Sequence, residues 1–192
     1  MKNLKNIIDE IFELYQNFGD EDYIGEPVSQ IEHMLQAATL ASQYSNDDEV
    51  ILAAFFHDIG HLVDLHHGKE KMGAFGVVSH EDIGAQFLLK NGFSDRIAKL
   101  VKSHVAAKRY LTYKYPEYLQ KLSDASIATL NFQGGPMNEQ EAVKFESDPD
   151  KELMILFRKW DDEAKSLDMD VIDFEMIKQK AHHHLQKRNW CF

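Results

Sequence analysis

The chain is short of several things. It has one cysteine, Cys191, in 192 residues, so no internal disulfide forms, and a reducing compartment is expected. There are only four prolines, and no Pro/Ser-rich linker or internal repeat divides the chain. No apolar run is long enough to span a bilayer. The N-terminal "MKNLKNIIDEIFELYQ" is amphipathic and rich in acids, unlike a signal or transit peptide. A soluble cytoplasmic protein with no membrane partner is therefore expected. Basic residues are outnumbered, with 21 Lys and Arg against 32 Asp and Glu and a formal net charge of −11. That balance argues against nucleic acid as a partner, because phosphate-backbone binding needs a basic face. A small anion is still admissible where local cations receive it.

Alternating apolar and polar runs are also missing, and no segment reads as a strand. What is present is helical periodicity. Leu4, Ile7, Ile8, Ile11, Phe12, Tyr15 and Phe18 form one helical face, and Gly19 ends it. Pro27 suits the first turn of a second helix carrying Ile31, Met34, Leu35 and Ala38. "DDEVILAAFFHDIGHL" reads as one further helix. "SHEDIGAQFLLKNG" begins at Ser and ends at Gly, the usual caps. The helix "SDRIAKLVKSHVAAKRYL" is capped by Ser94, and "NEQEAVKFE" carries an Asn138/Glu141 capping box. "DPDKELMILFRKWDDEAK" opens at Asp148 and Pro149, and a last helix places Phe174, Ile177, Ala181 and Leu185 on one face. Loops are expected at Asp20–Glu26, Val63–Ser79 and Phe132–Met137. The fold class is all-α, one helical bundle over 1–192.

The chemistry is concentrated where "FFHDIGH" runs two aromatics into His57, Asp58 and His61. Buried charge is tolerated when it is paired or binds a metal. His33, His57 with Asp58, His80, His104 and Asp161 lie on successive helices, the arrangement by which bundles build metal sites from facing side chains. These imidazoles and carboxylates suffice for two metals, with Asp58 the natural bridge. An N/O donor set suits Fe, Mn, Zn or Co better than Ca or Mg. Taken singly, each histidine reads more simply as a satisfied core or surface residue; the ordered set favours a metal. "HHH" at His182, His183 and His184 is read as surface, because consecutive helix residues diverge by about 100°. His66 and His67 are read as loop residues. "FQGGP" is read as a turn that could also shape a pocket wall.

The ordered pattern H…HD…H…H…D resembles the HD-domain superfamily of metal-dependent phosphohydrolases and its diiron oxygenase branch. "DYIGEPVSQIEH", "HDIGH", "GVVSHEDIGAQFL", "HVAAKRYL", "LSDAS", "FQGGPM" and "RKWDDEAK" narrow the likeness to the PhnZ-type oxygenases, the 2-amino-1-hydroxyethylphosphonate dioxygenases. It is strongest over residues 22–165. The resemblance implies an HD-domain bundle with a dinuclear site, a mixed-valent Fe(II)/Fe(III) pair, and O2 as co-substrate. It implies cleavage of a C–P bond to give glycine and phosphate, downstream of a hydroxylase that makes the 1-hydroxy substrate, in a monomer or small homo-oligomer. Carried over by position, His33, His57, Asp58 and Asp161 hold one iron, and Asp58, His80 and His104 the other. Asp162 leaves a register ambiguity beside Asp161.

Lys108 lies four residues after His104 and Arg158 three before Asp161, each on its ligand's helix face. Both are expected to bind the phosphonate, Arg158 bidentately, although each also reads as a solvated helix residue. His61 and Ser126 are expected to touch the same group, with support of a metal ligand from behind and a local helix hydrogen bond as their plainer readings. Tyr23 and Glu26 look like the family's lid, Tyr23 guarding the open metal position and Glu26 receiving the ammonium. Two competing functions are an HD-domain phosphohydrolase acting on a small phosphate ester or nucleotide, and a catalytically silent nucleotide sensor.

Overall fold

The computed structural model describes residues 3–23, 25–67 and 79–189. It is all-α, and the described residues contain no strand, only an isolated antiparallel bridge between Asp22 and Ser29. The helices are α1 (Leu4–Phe18), α2 (Gln30–Tyr44), α3 (Asp48–Phe56), α4 (Ile59–His67), α5 (His80–Lys90) and α6 (Asp95–Lys114), followed by α7 (Pro116–Leu119), α8 (Asp124–Phe132), α9 (Glu139–Glu146), α10 (Lys151–Glu163) and α11 (Phe174–Asn189). None is long and apolar enough to cross a membrane.

Most predicted starts hold. Ser94 caps α6 through the Ile97 N–H, and Asn138 and Glu141 form the expected box on α9. Four details differ. The second helix starts at Gln30 rather than at Pro27, because Ser29 and Glu32 make a reciprocal capping box three residues downstream. Ser79 precedes α5 in a left-handed conformation, φ 60°, with no side-chain cap. The helix expected from Asp148 begins at Lys151, while Asp148 and Asp150 both bind Lys99. Of the expected loop 63–79, residues 63–67 are helical in α4, His66 and His67 included, and 68–78 lie outside the described residues. The short α7 and α8 were absent from the sequence reading. Their apolar periodicity is weak, and only Leu130 of α8 is buried.

The largest difference is that "DDEVILAAFFHDIGHL" is not one helix. It breaks between Phe56 and Ile59, leaving His57 and Asp58 at the corner. The residues before the corner are anchored by aromatic packing. Phe55 stacks on Tyr15 at 4.5 Å and Phe12 packs on Phe55 at 5.9 Å, while Phe56 meets Phe93 edge-on at 5.2 Å. The outer helices α1 and α11 thus form the wall behind the corner, with Phe174 of α11 5.2 Å from Phe12. Beyond the corner, α4 lies hard against α5: a Cβ on Gly60 would stand 1.9 Å from the His80 carbonyl oxygen. Only glycine admits that approach, which brings His80 beside Asp58.

His184 is not a surface residue. Its ring stacks on Phe93 at 5.5 Å, and its Nε2 accepts the Ser94 N–H at 3.3 Å. Burial pushes its imidazole below the usual histidine range. A depressed folded-state pKa contributes stability that is present above the unfolded value, about 6.5, and is lost as pH falls below it. His184→Gln keeps an acceptor for Ser94 but cannot take up a proton. The variant should lose less Tm than wild type between about pH 7.5 and about pH 5.5; equal losses would mean that His184 does not contribute to acid sensitivity.

Candidate metal centre

The corner after α3 and the facing sides of α2, α5, α6 and α10 bring all the predicted ligands together. His33, His57, Asp58, His80, His104 and Asp161 are each buried. They fall into two imidazole pairs. His33 Nε2 is 3.0 Å from His57 Nε2, and His80 Nε2 is 2.9 Å from His104 Nε2. Asp58 lies between the pairs and divides its oxygens. Its Oδ2 is 3.4 Å from His57 and 3.7 Å from His33, while its Oδ1 is 3.2 Å from His80 and 3.4 Å from His104. Asp161 Oδ1 adds to the first pair, 3.3 Å from His33 and 3.8 Å from His57.

The donor chemistry fits metal ions at both pairs. The Nδ1 atoms of His33, His57 and His104 lie 2.8, 2.8 and 2.6 Å from the carbonyls of Ala164, Ala54 and Val101. A carbonyl only accepts, so each Nδ1 carries the proton and, in the neutral ring, each Nε2 presents a lone pair. Were both rings neutral, the lone pairs of His33 and His57 would face each other at hydrogen-bond distance, so a proton or a metal ion has to lie between them. A cation between them resolves that conflict. Two nitrogens each about 2.1 Å from one ion and at right angles lie about 3.0 Å apart. His80 differs, because its Nδ1 is buried with no hydrogen-bond partner among the described residues, 3.7 Å from the equally unsatisfied Glu81 Oε2. Glu81 is therefore positioned as the carboxylate behind the His80 ring.

The electrostatics agree. Burial acts against the charged form at His57, but the Asp58 carboxylate outweighs it and pushes the imidazole up to about 9. A site that holds a proton this firmly attracts a metal cation for the same reason. Burial would also raise Asp58 and Asp161, yet both are held well below the carboxylate range, Asp58 by His57 and Asp161 chiefly by Arg158. His104 is pushed down to about 3 by burial, which leaves it neutral and open to coordination.

A cavity opens on this cluster, lined by Tyr23, Glu26, His61, Lys108, Ser126 and Arg158, all singled out in the sequence, together with Gln30, Ala125, Thr129 and Gln133. Tyr23 stacks on the His33 ring at 3.9 Å, and its buried phenol is held well above its ordinary value by burial and the Asp58 and Asp161 charges. The Tyr23 segment is a pinned loop rather than a helix. The Tyr23 N–H donates to Val28 O at 3.0 Å and the Glu26 N–H to Tyr23 O at 2.9 Å. His61 stacks on His80 at 4.1 Å, and burial, then the neighbouring His80, pushes it down to about 3. One of its nitrogens also lies close enough to Asp58 and His80 to share an ion with them.

The two cations differ, and neither is solvated. Lys108 is 3% exposed, donates to Thr129 Oγ1 at 3.0 Å, and has no carboxylate within ion-pair range among the described residues. Burial, then Arg158, pushes its ammonium down to about 7. Such a cation is stabilised by an incoming anion. Arg158 is already engaged. It donates to Asp161 Oδ2 at 2.5 Å, to Asp162 Oδ1, and through Nε to Tyr118 Oη at 3.0 Å. Tyr118 in turn donates to Asp162 Oδ2 at 2.5 Å. The register question is answered by this network: Asp161 faces the histidines, and Asp162 turns away to Arg158 and Tyr118.

Ser126 sits in the first turn of α8, where its N–H donates to the Ser123 cap at 3.2 Å. "FQGGP" is both turn and wall, with Gly134 at φ 95° and Gly135 at φ 70°, and Gln133 facing the cavity. Glu26 is not a free carboxylate, since its Oε1 accepts from Ser123 Oγ and Lys165 Nζ, each at 2.7 Å. Sequence reasoning missed Gln30, Glu81, Tyr118, Thr129 and Lys165. None stands in a repeating pattern, although Glu81 directly follows a ligand.

A model for the HD domain matches residues 31–158. The chain is 44% identical over 167 residues, 87% of its length and 76% of the other, to an uncharacterized protein of Acanthamoeba polyphaga mimivirus. It is 40% identical over 187 residues, 95% of its length and 94% of the other, to the [1-hydroxy-2-(trimethylamino)ethyl]phosphonate dioxygenase (glycine-betaine-forming) of Leisingera caerulea. To the hydroxymethylphosphonate dioxygenase of Gimesia maris it is 38% identical over 165 residues, 86% of its length and 81% of the other. The chain belongs to the HD-domain family, in the group that contains these phosphonate dioxygenases.

Proposed function

We propose that the protein is a diiron oxygenase that cleaves the C–P bond of 2-amino-1-hydroxyethylphosphonate with O2, giving glycine and phosphate. The observation that carries this reading is the division of the Asp58 oxygens between two imidazole pairs, beside a buried Lys108 that has no carboxylate in ion-pair range among the described residues. Two N/O-ligated ions and an anion-seeking cation suit a substrate that carries a phosphonate and a neighbouring hydroxyl. The two named dioxygenase relatives act on phosphonates that share the hydroxyl on the carbon next to phosphorus and differ in the tail. The glycine product rests on Glu26, a carboxylate in the cavity wall that offers an acceptor to a primary ammonium.

His33, His57, Asp58 and Asp161 would hold one iron, and Asp58, His80 and His104 the other. A mixed-valent Fe(II)/Fe(III) pair would supply activation of O2. The chain's own residues do the remainder. Lys108 neutralises the phosphonate, with Ser126 and His61 as further contacts. Arg158 fixes Asp161 and adds positive charge at the cavity wall. Tyr23 and Glu26 close the cavity from the loop side and limit access of water. The overall change is balanced: the substrate's C–H and C–P bonds are lost and one C–O and one P–O bond form, while O2 takes up four electrons and its two oxygen atoms enter the carboxylate of glycine and the departing phosphate. An upstream oxidation must place the hydroxyl next to phosphorus. We read 1–192 as one HD domain, since α1 and α11, outside the matched segment, wall the corner that carries His57.

The test is anaerobic loading with iron, then addition of the hydroxylated aminophosphonate with and without O2. Phosphate should appear only with O2. Release at the same rate without O2 would make the protein a phosphohydrolase that activates water between two metals.

A further inference from the structure

The segment leaving α10 ties the metal centre to the loop that carries Tyr23 and Glu26. The Ala164 carbonyl is 2.8 Å from His33 Nδ1. The next residue, Lys165, reaches Glu26, which lines the cavity, Nζ to Oε1 2.7 Å, with side chains only 16% and 10% exposed. Ser166 then clamps the segment to α2: its N–H donates to Gln36 Oε1 at 2.9 Å, and its carbonyl accepts from Gln36 Nε2 at 2.7 Å. The backbone that carries Lys165 is thus held on both sides.

Its contact changes what Glu26 offers. Ser123, the N-cap of α8, donates to the same Oε1 at 2.7 Å, so this oxygen receives both Lys165 and the hydroxyl at a helix N-terminus. Both contacts use Oε1, and among the described residues no hydrogen bond to Oε2 is seen. A cationic tail meeting Glu26 therefore meets a carboxylate whose charge is partly balanced, with a second ammonium on its far side. At the few-ångström separations involved, the more distant Lys165 offsets part, but not all, of the attraction of Glu26. A tail without charge is indifferent to both.

We infer that Lys165 sets the charge preference at the tail end of the substrate cavity, by partly neutralising Glu26. Lys165 is a positioning residue that acts through Glu26, and the inference rests on the proposed phosphonate chemistry. Lys165→Met removes the charge at similar length, Lys165→Arg keeps it, and 2-amino-1-hydroxyethylphosphonate and hydroxymethylphosphonate serve as cationic and uncharged tails. In Lys165→Met, KM for the amino compound should fall roughly tenfold, with KM for hydroxymethylphosphonate within about twofold of wild type. Lys165→Arg should match wild type, and adding Glu26→Gln to Lys165→Met should erase the gain.

Anaerobic calorimetric binding of both compounds reads the same ratio without turnover. Lys165→Gln replaces the methionine variant if that one does not fold. An unchanged ratio of the two affinities in the charge-removing variants overturns the role of Lys165 while leaving the phosphonate reading intact. Failure of the amino compound to bind the metal-loaded wild type overturns that reading and the inference with it, and failure of hydroxymethylphosphonate alone overturns the inference only.

Discussion

Asp58→Ala should strip the protein of properly held metal, whereas His104→Ala should mainly lower occupancy at one of two positions. The reason is geometric. Each Asp58 oxygen faces a different imidazole pair, so the carboxylate serves both positions, while His104 Nε2 faces only His80 and Asp58 Oδ1. Removing Asp58 also deletes the negative charge that holds His57 at about 9, and with it the main electrostatic attraction for a cation at the corner. Metal content per chain after anaerobic iron loading and gel filtration separates the cases. Near-zero metal is expected for Asp58→Ala and about half the wild-type content for His104→Ala. Equal, full metal in both would mean that the cluster is a hydrogen-bonded core rather than a metal centre.

The second large effect distinguishes the two buried cations, which sequence spacing treats alike. Lys108→Ala should weaken phosphonate binding about ten- to a hundredfold, the loss of a charge-assisted hydrogen bond worth roughly 1.5–3 kcal/mol, and should leave metal content unchanged. Among the described residues Lys108 makes no ion pair that its removal would orphan. Arg158→Ala should do more, because it leaves the buried Asp161 and its neighbour Asp162 without their shared partner. Breaking a buried pair from one side costs about 3–5 kcal/mol. The variant should show a lower Tm and lower metal content as well as weaker substrate binding. If it changes KM alone, Arg158 is a substrate contact and not the holder of Asp161.

The His/Asp cluster was legible because its members recur in a fixed order along the chain, on successive helices and at the corner between two of them, and helical periodicity was strong in the elements that carry them. The apolar faces of α1, α6 and α10 left little room for another assignment. Other features were hidden for physical reasons. The break between Phe56 and Ile59 carries no proline, and its one glycine, Gly60, explains itself only when the His80 carbonyl is seen against it. Spacing put Arg158 beside Asp161 but could not say that Asp162 and Tyr118 would take its remaining nitrogens, since Tyr118 is 40 residues away. Lys165 and Glu26 are separated by 139 residues, and nothing in either local sequence announces their contact. Glu26 therefore read as a free carboxylate. His184 read as surface because the divergence of consecutive helix residues rules out shared chelation by the three histidines but does not tell which of them faces inward, and its ring lies on Phe93.

The most direct measurement is simultaneous recording of O2 uptake and phosphate release by the iron-loaded protein given 2-amino-1-hydroxyethylphosphonate. Consumption of O2 and appearance of phosphate and glycine in equal amounts are expected, with no release when O2 is withheld. Phosphate produced without O2 uptake, or O2 uptake without phosphate, would contradict oxidative cleavage of the C–P bond at this site.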